Sequence, residues 1–352
     1  MIKILIIVVS LENSNGTERA VVNFANSFDL EKYEITILSL LKQNDCPIFS
    51  LKKGVLLDSL GFDEYASTML FKCARNLRGY LKANDFNYII STLVYISITL
   101  PFITRKKVIA WEHVSFYYHS KILREIRGRI YRKLHLVVCQ TKFDLDKYSK
   151  KLDNVICIPN IVKININVKR SENIKRVLIV TRFSPEKGID QLYQIIRGIY
   201  SYDRCVDFSF TVVGDGLMKD DFRRKSHDMI DSNFLTLIDK TMEVEKYYVN
   251  SDILILPSLS ESFGLVIVEA FLYRLPVIAF GIQGGPSALI DNGINGYLIR
   301  PFNVSDFIEQ IISLMADPNL RKVMGFNNEL KGGQFSDSKI NSIWVKYLID
   351  LD

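Results

Sequence analysis

Cysteine is scarce in this 352-residue chain: five in all, Cys46, Cys73, Cys139, Cys157 and Cys205. No two form a Cys-x-x-Cys pair and no histidine cluster lies near them, which excludes a zinc ribbon; their scatter excludes a disulfide scaffold. Several sit in apolar runs, as buried free thiols do, and so fit a reducing cytoplasm. Only 9 Pro and 18 Gly leave little room for a long linker. Apart from the first residues, the longest apolar stretch is Ile89–Thr104. It is broken by Ser91, Thr92, Ser97 and Thr99 and falls short of the roughly 20 residues a membrane-spanning helix needs. Met1–Ser10 has the look of a secretory leader, but its apolar core is short and no small-x-small site follows. It reads as a buried first strand. No Walker sequence occurs, and no third Gly follows Gly214-Asp-Gly216 to complete a dinucleotide fingerprint.

What the chain does have is enough apolar material for real cores: 48% hydrophobic and 11% aromatic residues. At roughly 100–200 residues per domain, that length predicts two domains. The net charge of +6 is divided unevenly. Residues 1–165 carry 24 Lys+Arg against 15 Asp+Glu, the remainder 21 against 24. The densest basic patch holds Lys121, Arg124, Arg127, Arg129, Arg132 and Lys133 against Glu125 alone. Such a helix suits anionic lipid or nucleic acid, or is simply a solvated face.

Short β-branched runs alternate with amphipathic stretches. Strands are predicted at Ile2–Val9, Glu34–Ser39, Tyr88–Thr92, Lys107–Trp111, Leu136–Cys139 and Val155–Ile158. Helices are predicted near Thr17–Phe28, Thr68–Ala83, Lys121–Leu134 and Lys142–Lys151. Continuous apolar strands of this kind belong to parallel sheets covered on both faces. Lys163–Lys175 turns polar and reads as the interdomain linker, after which the pattern restarts. The second set of strands is Arg176–Thr181, Asp207–Gly214, Phe234–Ile238, Ile253–Pro257, Pro276–Phe280 and Tyr297–Ile299. Helices alternate with them, one at Asp220–Ile230, and others fill the rest through Ile340–Leu351. The expectation is an α/β protein of two facing, doubly wound, Rossmann-like domains, with the ligand at the strand carboxyl ends.

Those strand ends carry the chemistry. The first strand leads into Asn15-Gly16-Thr-Glu-Arg, a strand-to-helix turn where a Gly lets backbone N–H groups approach a phosphate. The second domain opens with Arg182-Phe-Ser-Pro-Glu-Lys187-Gly188, two cations on one loop that suit a diphosphate, Arg as a fork and Lys as a point charge. Gly214-Asp-Gly216 ends another strand. In Glu261-Ser-Phe-Gly264-Leu-Val-Ile-Val-Glu269, Glu261 precedes a helix and is placed to reach a sugar hydroxyl. Glu269 lies inside that helix near its buried face, where a carboxylate accepts both hydroxyls of a vicinal diol such as a ribose. Burying such an acid without partners costs several kcal/mol.

Together with Gly284-Gly-Pro-Ser-Ala-Leu-Ile-Asp-Asn-Gly293-Ile-Asn-Gly296, these segments resemble glycosyltransferase family 4, retaining nucleotide-sugar enzymes of GT-B fold. Asn15-Gly16-Thr-Glu-Arg resembles the family's Gly-Gly-x-Glu-Arg, with Asn15 for the first Gly, a residue tolerant of positive φ. Leu237-Ile-Asp-Lys-Thr241 departs from the family, which often has a Gly there.

The resemblance implies that Arg182 and Lys187 hold the donor diphosphate, Glu261 the transferred sugar and Glu269 the ribose. It implies that the backbone amides of Phe263, Gly264 and Leu265 bind sugar and phosphate, that Gly214 lies at the donor, and that Gly16 approaches the diphosphate. It assigns His113, in Trp111-Glu112-His113 at a strand end, to the sugar and acceptor.

The resulting expectation is a metal-independent, cofactor-free, retaining hexosyltransferase using a UDP-sugar on a glycan, such as a lipid-linked surface polysaccharide precursor. It would be cytoplasmic, peripheral on the inner face of the membrane through its basic patch. The expected division is 1–165 for the acceptor-side domain, 172–335 for the nucleotide-sugar domain, and a helix at 336–352 packing back toward the first. The rival enzyme class is a GT-B nucleotide-sugar epimerase; the non-enzyme rival, a nucleic-acid-binding protein, lacks an aromatic-plus-glycine RNA motif.

Overall fold

The structure, a computed structural model, describes residues 1–12, 15–43, 47–64, 70–163, 174–202 and 206–350. Cys46, Cys205 and most of the expected linker lie outside the described residues. The chain divides into two units, Met1–Val162 with Ser336–Asp352, and Lys163–Phe335.

Unit 1 runs β1 (Ile2–Val8), α1 (Gly16–Asn26), β2 (Tyr33–Leu41), β3 (Leu56–Phe62), α2 (Leu70–Ala83) and β4 (Tyr88–Ser91). It continues with α3 (Val94–Ile103), β5 (Lys107–Trp111), α4 (Lys121–Ile130), β6 (Leu136–Cys139), α5 (Lys142–Tyr148) and β7 (Val155–Cys157). The strands form one parallel sheet in the order β3-β2-β1-β4-β5-β6-β7. Along β1 the side chains alternate between two cores. Ile4, Ile6 and Val8 pack with Phe24 and Trp111, while Leu5 and Ile7 pack with Leu100 and Tyr131. A strand with helices on both faces needs apolar residues at every position, which is why β1 reads as an unbroken run.

Unit 2 runs β8 (Arg176–Val180), α6 (Ile189–Tyr202), β9 (Ser209–Val213), α7 (Lys219–Lys225), α8 (His227–Asp231), β10 (Leu235–Ile238) and α9 (Glu245–Val249). Then come β11 (Ile253–Leu256), α10 (Leu265–Leu272), β12 (Val277–Phe280), α11 (Gly285–Leu289), β13 (Gly296–Ile299), α12 (Val304–Ala316) and α13 (Pro318–Gly332). Its sheet is parallel in the order β10-β9-β8-β11-β12-β13. The strand order reverses between β1 and β4 in unit 1 and between β8 and β11 in unit 2. Those reversals are where doubly wound sheets open a crevice at their carboxyl ends.

The last helix, α14 (Asp337–Asp350), belongs to unit 1. Its Trp344 is buried against Phe24 (ring centroids 4.7 Å) and Trp111 (5.4 Å). Tyr88 Oη donates to the Leu348 carbonyl, and Asn341 Nδ2 to Ser27 Oγ at 2.7 Å.

Three sequence expectations change. β3 was not foreseen, because an edge strand with mixed exposure has no continuous apolar run. α3 lies within the stretch Ile89–Thr104; its β-branched residues and Pro101 mask the helix, but the proline sits in the last turn. The expected helix Asp220–Ile230 is two, broken at buried Ser226.

The basic patch also loses a member. Arg127 is buried, donating to Glu112 Oε2 at 3.0 Å and to the Phe116 carbonyl at 3.0 Å. Glu112 accepts as well from Tyr131 Oη (2.5 Å) and Tyr148 Oη (2.9 Å). Burial, then the Glu112 charge, pushes both phenols well above their ordinary range, so they remain donors. Removing one partner of a buried ion pair strands the other charge, at a cost of about 3–5 kcal/mol. Arg127→Ala is therefore expected to destabilise unit 1 by about that amount. Lys151→Ala, which removes an exposed pair with Glu125, is expected to leave stability nearly unchanged. Both tryptophans of the chain, Trp111 and Trp344, lie in unit 1, so tryptophan fluorescence during urea unfolding reads this difference directly.

Candidate functional site

In unit 2 four strand-end loops converge at the carboxyl edge of the sheet. Gly214, at φ 151°, lies so close beneath the loop after β8 that a Cβ would stand 1.8 Å from the Thr181 carbonyl oxygen. Gly188, at φ 65°, lies on the loop after β11, where a Cβ would stand 1.9 Å from the Pro257 carbonyl oxygen. Only glycine fits either place. Backbone bonds complete the stitching: Phe183 N to Asp215 O (2.9 Å), Leu259 N to Glu186 O (2.9 Å) and Gly285 N to Glu261 O (3.3 Å).

This packing brings Lys187, from the loop after β8, against Glu261, from the loop after β11. Lys187 Nζ donates to Glu261 Oε1 at 2.6 Å, and Ser258 Oγ donates to the same oxygen at 3.1 Å. The pair thus spans the strand-order reversal. Arg182 is half exposed and paired with Glu186, its Nε donating to Ser184 Oγ at 3.3 Å. Ammonium and guanidinium carry three and five N–H donors, so these bonds leave both cations with donors to spare.

α10 starts at Leu265, with Gly264 at its N-cap at φ 84°. The amides of Leu265 and the residues after it open that helix, where the first N–H groups have no acceptor within it. Phe263 is buried against Phe335 (5.7 Å). Glu269 is 2% exposed, and its Oε2 accepts from Tyr248 Oη at 2.8 Å. Tyr248 is fully buried and stacked on Tyr273. Glu269 is therefore a partnered core carboxylate on the same helix that Glu261 precedes.

At the departure Leu237–Thr241, Asp239 pairs with Lys219, a buried lysine whose Nζ also donates to the Gly214 carbonyl at 2.8 Å. Sequence reasoning missed Lys219, Ser258 and Tyr248. Lys219 and Tyr248 owe their places to partners on other strand-end loops or helices, and no local motif marks them, whereas Ser258 bonds Glu261 within its own loop.

The unit 1 residues are described by themselves. Gly16 is the exposed first residue of α1. Asn15 caps it at φ −81°, ψ 166°, extended backbone open to any residue, so its tolerance of positive φ plays no part. His113 follows β5, with its ring 4.4 Å from that of Trp111 and Nδ1 2.8 Å from Gln140 Nε2. Burial pushes its pKa down to about 3, which keeps the ring neutral. Among the described residues no three His, Cys, Asp or Glu side chains are grouped to hold a metal ion, and no helix is long and apolar enough to cross a membrane.

Residues 163–331 match the family described as glycosyl transferases group 1. They are a glycosyl transferases group 1 domain. That domain contains Arg182, Lys187, Gly214, Glu261 and Glu269 together. The chain is 25% identical to an uncharacterized glycosyltransferase of Haemophilus influenzae, over 98% of this chain and 99% of that one. It is 24% identical to the amylovoran biosynthesis glycosyltransferase AmsD of Erwinia amylovora, over 92% of each. Among solved structures, S. aureus TarM in complex with fondaparinux, α-GlcNAc-glycerol and UDP superposes with a TM-score of 0.85 at 16% identity, covering 99% of this chain and 100% of that one. That likeness gives the GT-B fold. The epimerase alternative finds no support in these relatives.

If close backbone approach builds the group 1 domain's edge, a methyl at Gly214 is incompatible with it. Gly214→Ala is expected to cost about 3 kcal/mol or more. Gly293→Ala, at φ 77° with open space around it, costs about 1–2 kcal/mol for the left-handed backbone alone. Circular dichroism during urea unfolding compares the two.

Proposed function

We propose that the protein is a retaining hexosyltransferase that moves a hexose from a UDP-sugar onto a glycan acceptor, a lipid-linked precursor of a surface polysaccharide. The observation that carries the reading is the Lys187–Glu261 pair across the strand-order reversal of the group 1 domain. A donor diphosphate brought to this edge meets Lys187 and Arg182, which neutralise the charge that grows on the phosphate as the sugar leaves. On this reading the two cations take the part of a metal ion, and the reaction needs no cofactor. Glu261 holds Lys187 with Oε1 and offers its carboxylate to the transferred sugar. Glu269, held by Tyr248, receives the ribose diol. Gly16, Gly214 and the amides of Phe263, Gly264 and Leu265 accompany the donor, and His113 the sugar and acceptor.

In the transfer step the bond from the anomeric carbon to the diphosphate breaks and the bond to the acceptor oxygen forms on the same face. The acceptor proton passes to the departing phosphate, and UDP is released. The acceptor class is suggested by the Erwinia relative, whose name assigns it to amylovoran biosynthesis.

The lipid-linked acceptor is the reason to look for a membrane surface on unit 1. With Arg127 buried, α4 and the turn after it still present Lys121, Arg129, Arg132 and Lys133 to solvent. Ile122 and Ile126 stand exposed beside them. Apolar side chains among cations suit the interface of an anionic bilayer on the cytoplasmic side.

Two measurements test the reading. Ribose does not react, so its contact is about equally strong in ground and transition states. Calorimetric titration, with EDTA present, is expected to show Glu269→Gln weakening UDP binding about tenfold or more. Glu261→Gln should leave UDP affinity nearly unchanged and slow transfer; the opposite pattern reverses the two roles. Separately, the protein is expected to sediment with acidic liposomes in low salt and release in high salt, at about 1 kcal/mol per cation. Equal binding to neutral liposomes removes the patch from the mechanism.

A further inference from the structure

Three neighbouring parallel strands of unit 1, β5, β6 and β7, each deliver one polar side chain just past their carboxyl ends. Asn160, buried after β7, donates from Nδ2 to Gln140 Oε1 at 3.0 Å. Gln140, buried after β6, turns its Nε2 to His113 Nδ1 at 2.8 Å. A carboxamide has one acceptor oxygen and a donor NH2 group. With its oxygen engaged by Asn160, Gln140 offers His113 the NH2, which only donates. Nδ1 is then the lone-pair nitrogen, and the single proton of a neutral ring sits on Nε2.

We infer that Gln140, anchored by Asn160, is a positioning residue that locks His113 as a neutral imidazole protonated on Nε2, a hydrogen-bond donor to a substrate oxygen rather than an acid or base. The inference rests on the reading of His113 as part of the transferase site, and it adds what that residue does there. Its surroundings fit. Gln140 and Asn160 are uncharged, and Trp111, backed by Trp344 of α14, covers the ring with apolar surface. The neighbouring charge, Glu112, is engaged by Arg127, Tyr131 and Tyr148. The depressed His113 pKa agrees with a ring that stays neutral throughout the working range.

Gln140→Glu is nearly isosteric and reverses the polarity at Nδ1. A carboxylate there draws the proton onto Nδ1, so the neutral ring keeps only a lone pair at Nε2. Protonating the ring restores the Nε2 donor, and the carboxylate raises the pKa at which that happens. The variant is therefore expected to lose kcat as pH rises, about tenfold between pH 6 and 8, a limb that the natural protein lacks. UDP affinity should be unchanged in both. A purely structural role for Gln140 lowers activity without creating the limb. A folded Gln140→Glu with the natural pH profile overturns the inference.

Long-range 1H–15N correlation spectra of the natural protein with 15N-histidine decide the tautomer without any variant or assay. A proton on Nε2 of His113 at pH 7 is the expected result, and a proton on Nδ1 overturns it. If no nucleotide sugar is turned over, the transferase reading fails while these spectra still decide the tautomer.

Discussion

Lys187 meets Glu261 because a backbone touches a backbone. The loop after β8 can rest on the Pro257 carbonyl only where it has no side chain, at Gly188. That contact sits next to Lys187 in sequence and four residues before Glu261. An added methyl would push apart the two loops on which the ion pair depends. The hydrogen bonds from Leu259 and Ser260 to the Glu186 carbonyl hold the same approach from the other side. The charge arrangement of the group 1 domain is thus secondary to a steric fact. With the loops fixed by backbone contact, the ion pair holds both side chains in one arrangement, so on the proposed reading little rotamer freedom remains to be lost when a donor binds.

Unit 1 reaches a similar result with buried polar side chains. Glu112 takes Arg127, Tyr131 and Tyr148, tying α4, the turn that follows it and α5 to the end of β5. One residue later His113 is held through Gln140 and Asn160. Adjacent residues past β5 therefore serve two networks, one charged and one neutral. The first keeps a full charge engaged beside the second.

Legibility followed burial. Central strands such as β1 and β11 are apolar at nearly every position and announce themselves; β3, at the edge, is half exposed and does not. α3 hid because its β-branched residues favour strand by propensity while tertiary packing makes them helix. At the site, residues that cluster in sequence were readable, from Arg182 to Gly188 and from Glu261 to Glu269. Residues brought together only across strands were not. Gln140 lies 27 residues from His113 and Asn160 a further 20 from Gln140, distances that only parallel strand pairing closes. Arg127 misled for a related reason: composition counts a charge without knowing which way its helix turns.

The ring of Trp111 beneath His113 is supported by Trp344, and Tyr88 bonds to a carbonyl 260 residues downstream. Unit 1 is thus discontinuous, with the whole of unit 2 inserted between its sheet and its final helix. During synthesis the group 1 domain emerges complete and can fold while the first domain still waits for α14. Until the ribosome has translated that helix, Phe24 and Trp111 lack their last aromatic cover. A nascent chain stalled before Trp344 would hold a finished group 1 domain beside an aggregation-prone partner. Translation order therefore places the completion of unit 1, and the setting of His113 with it, after that of unit 2.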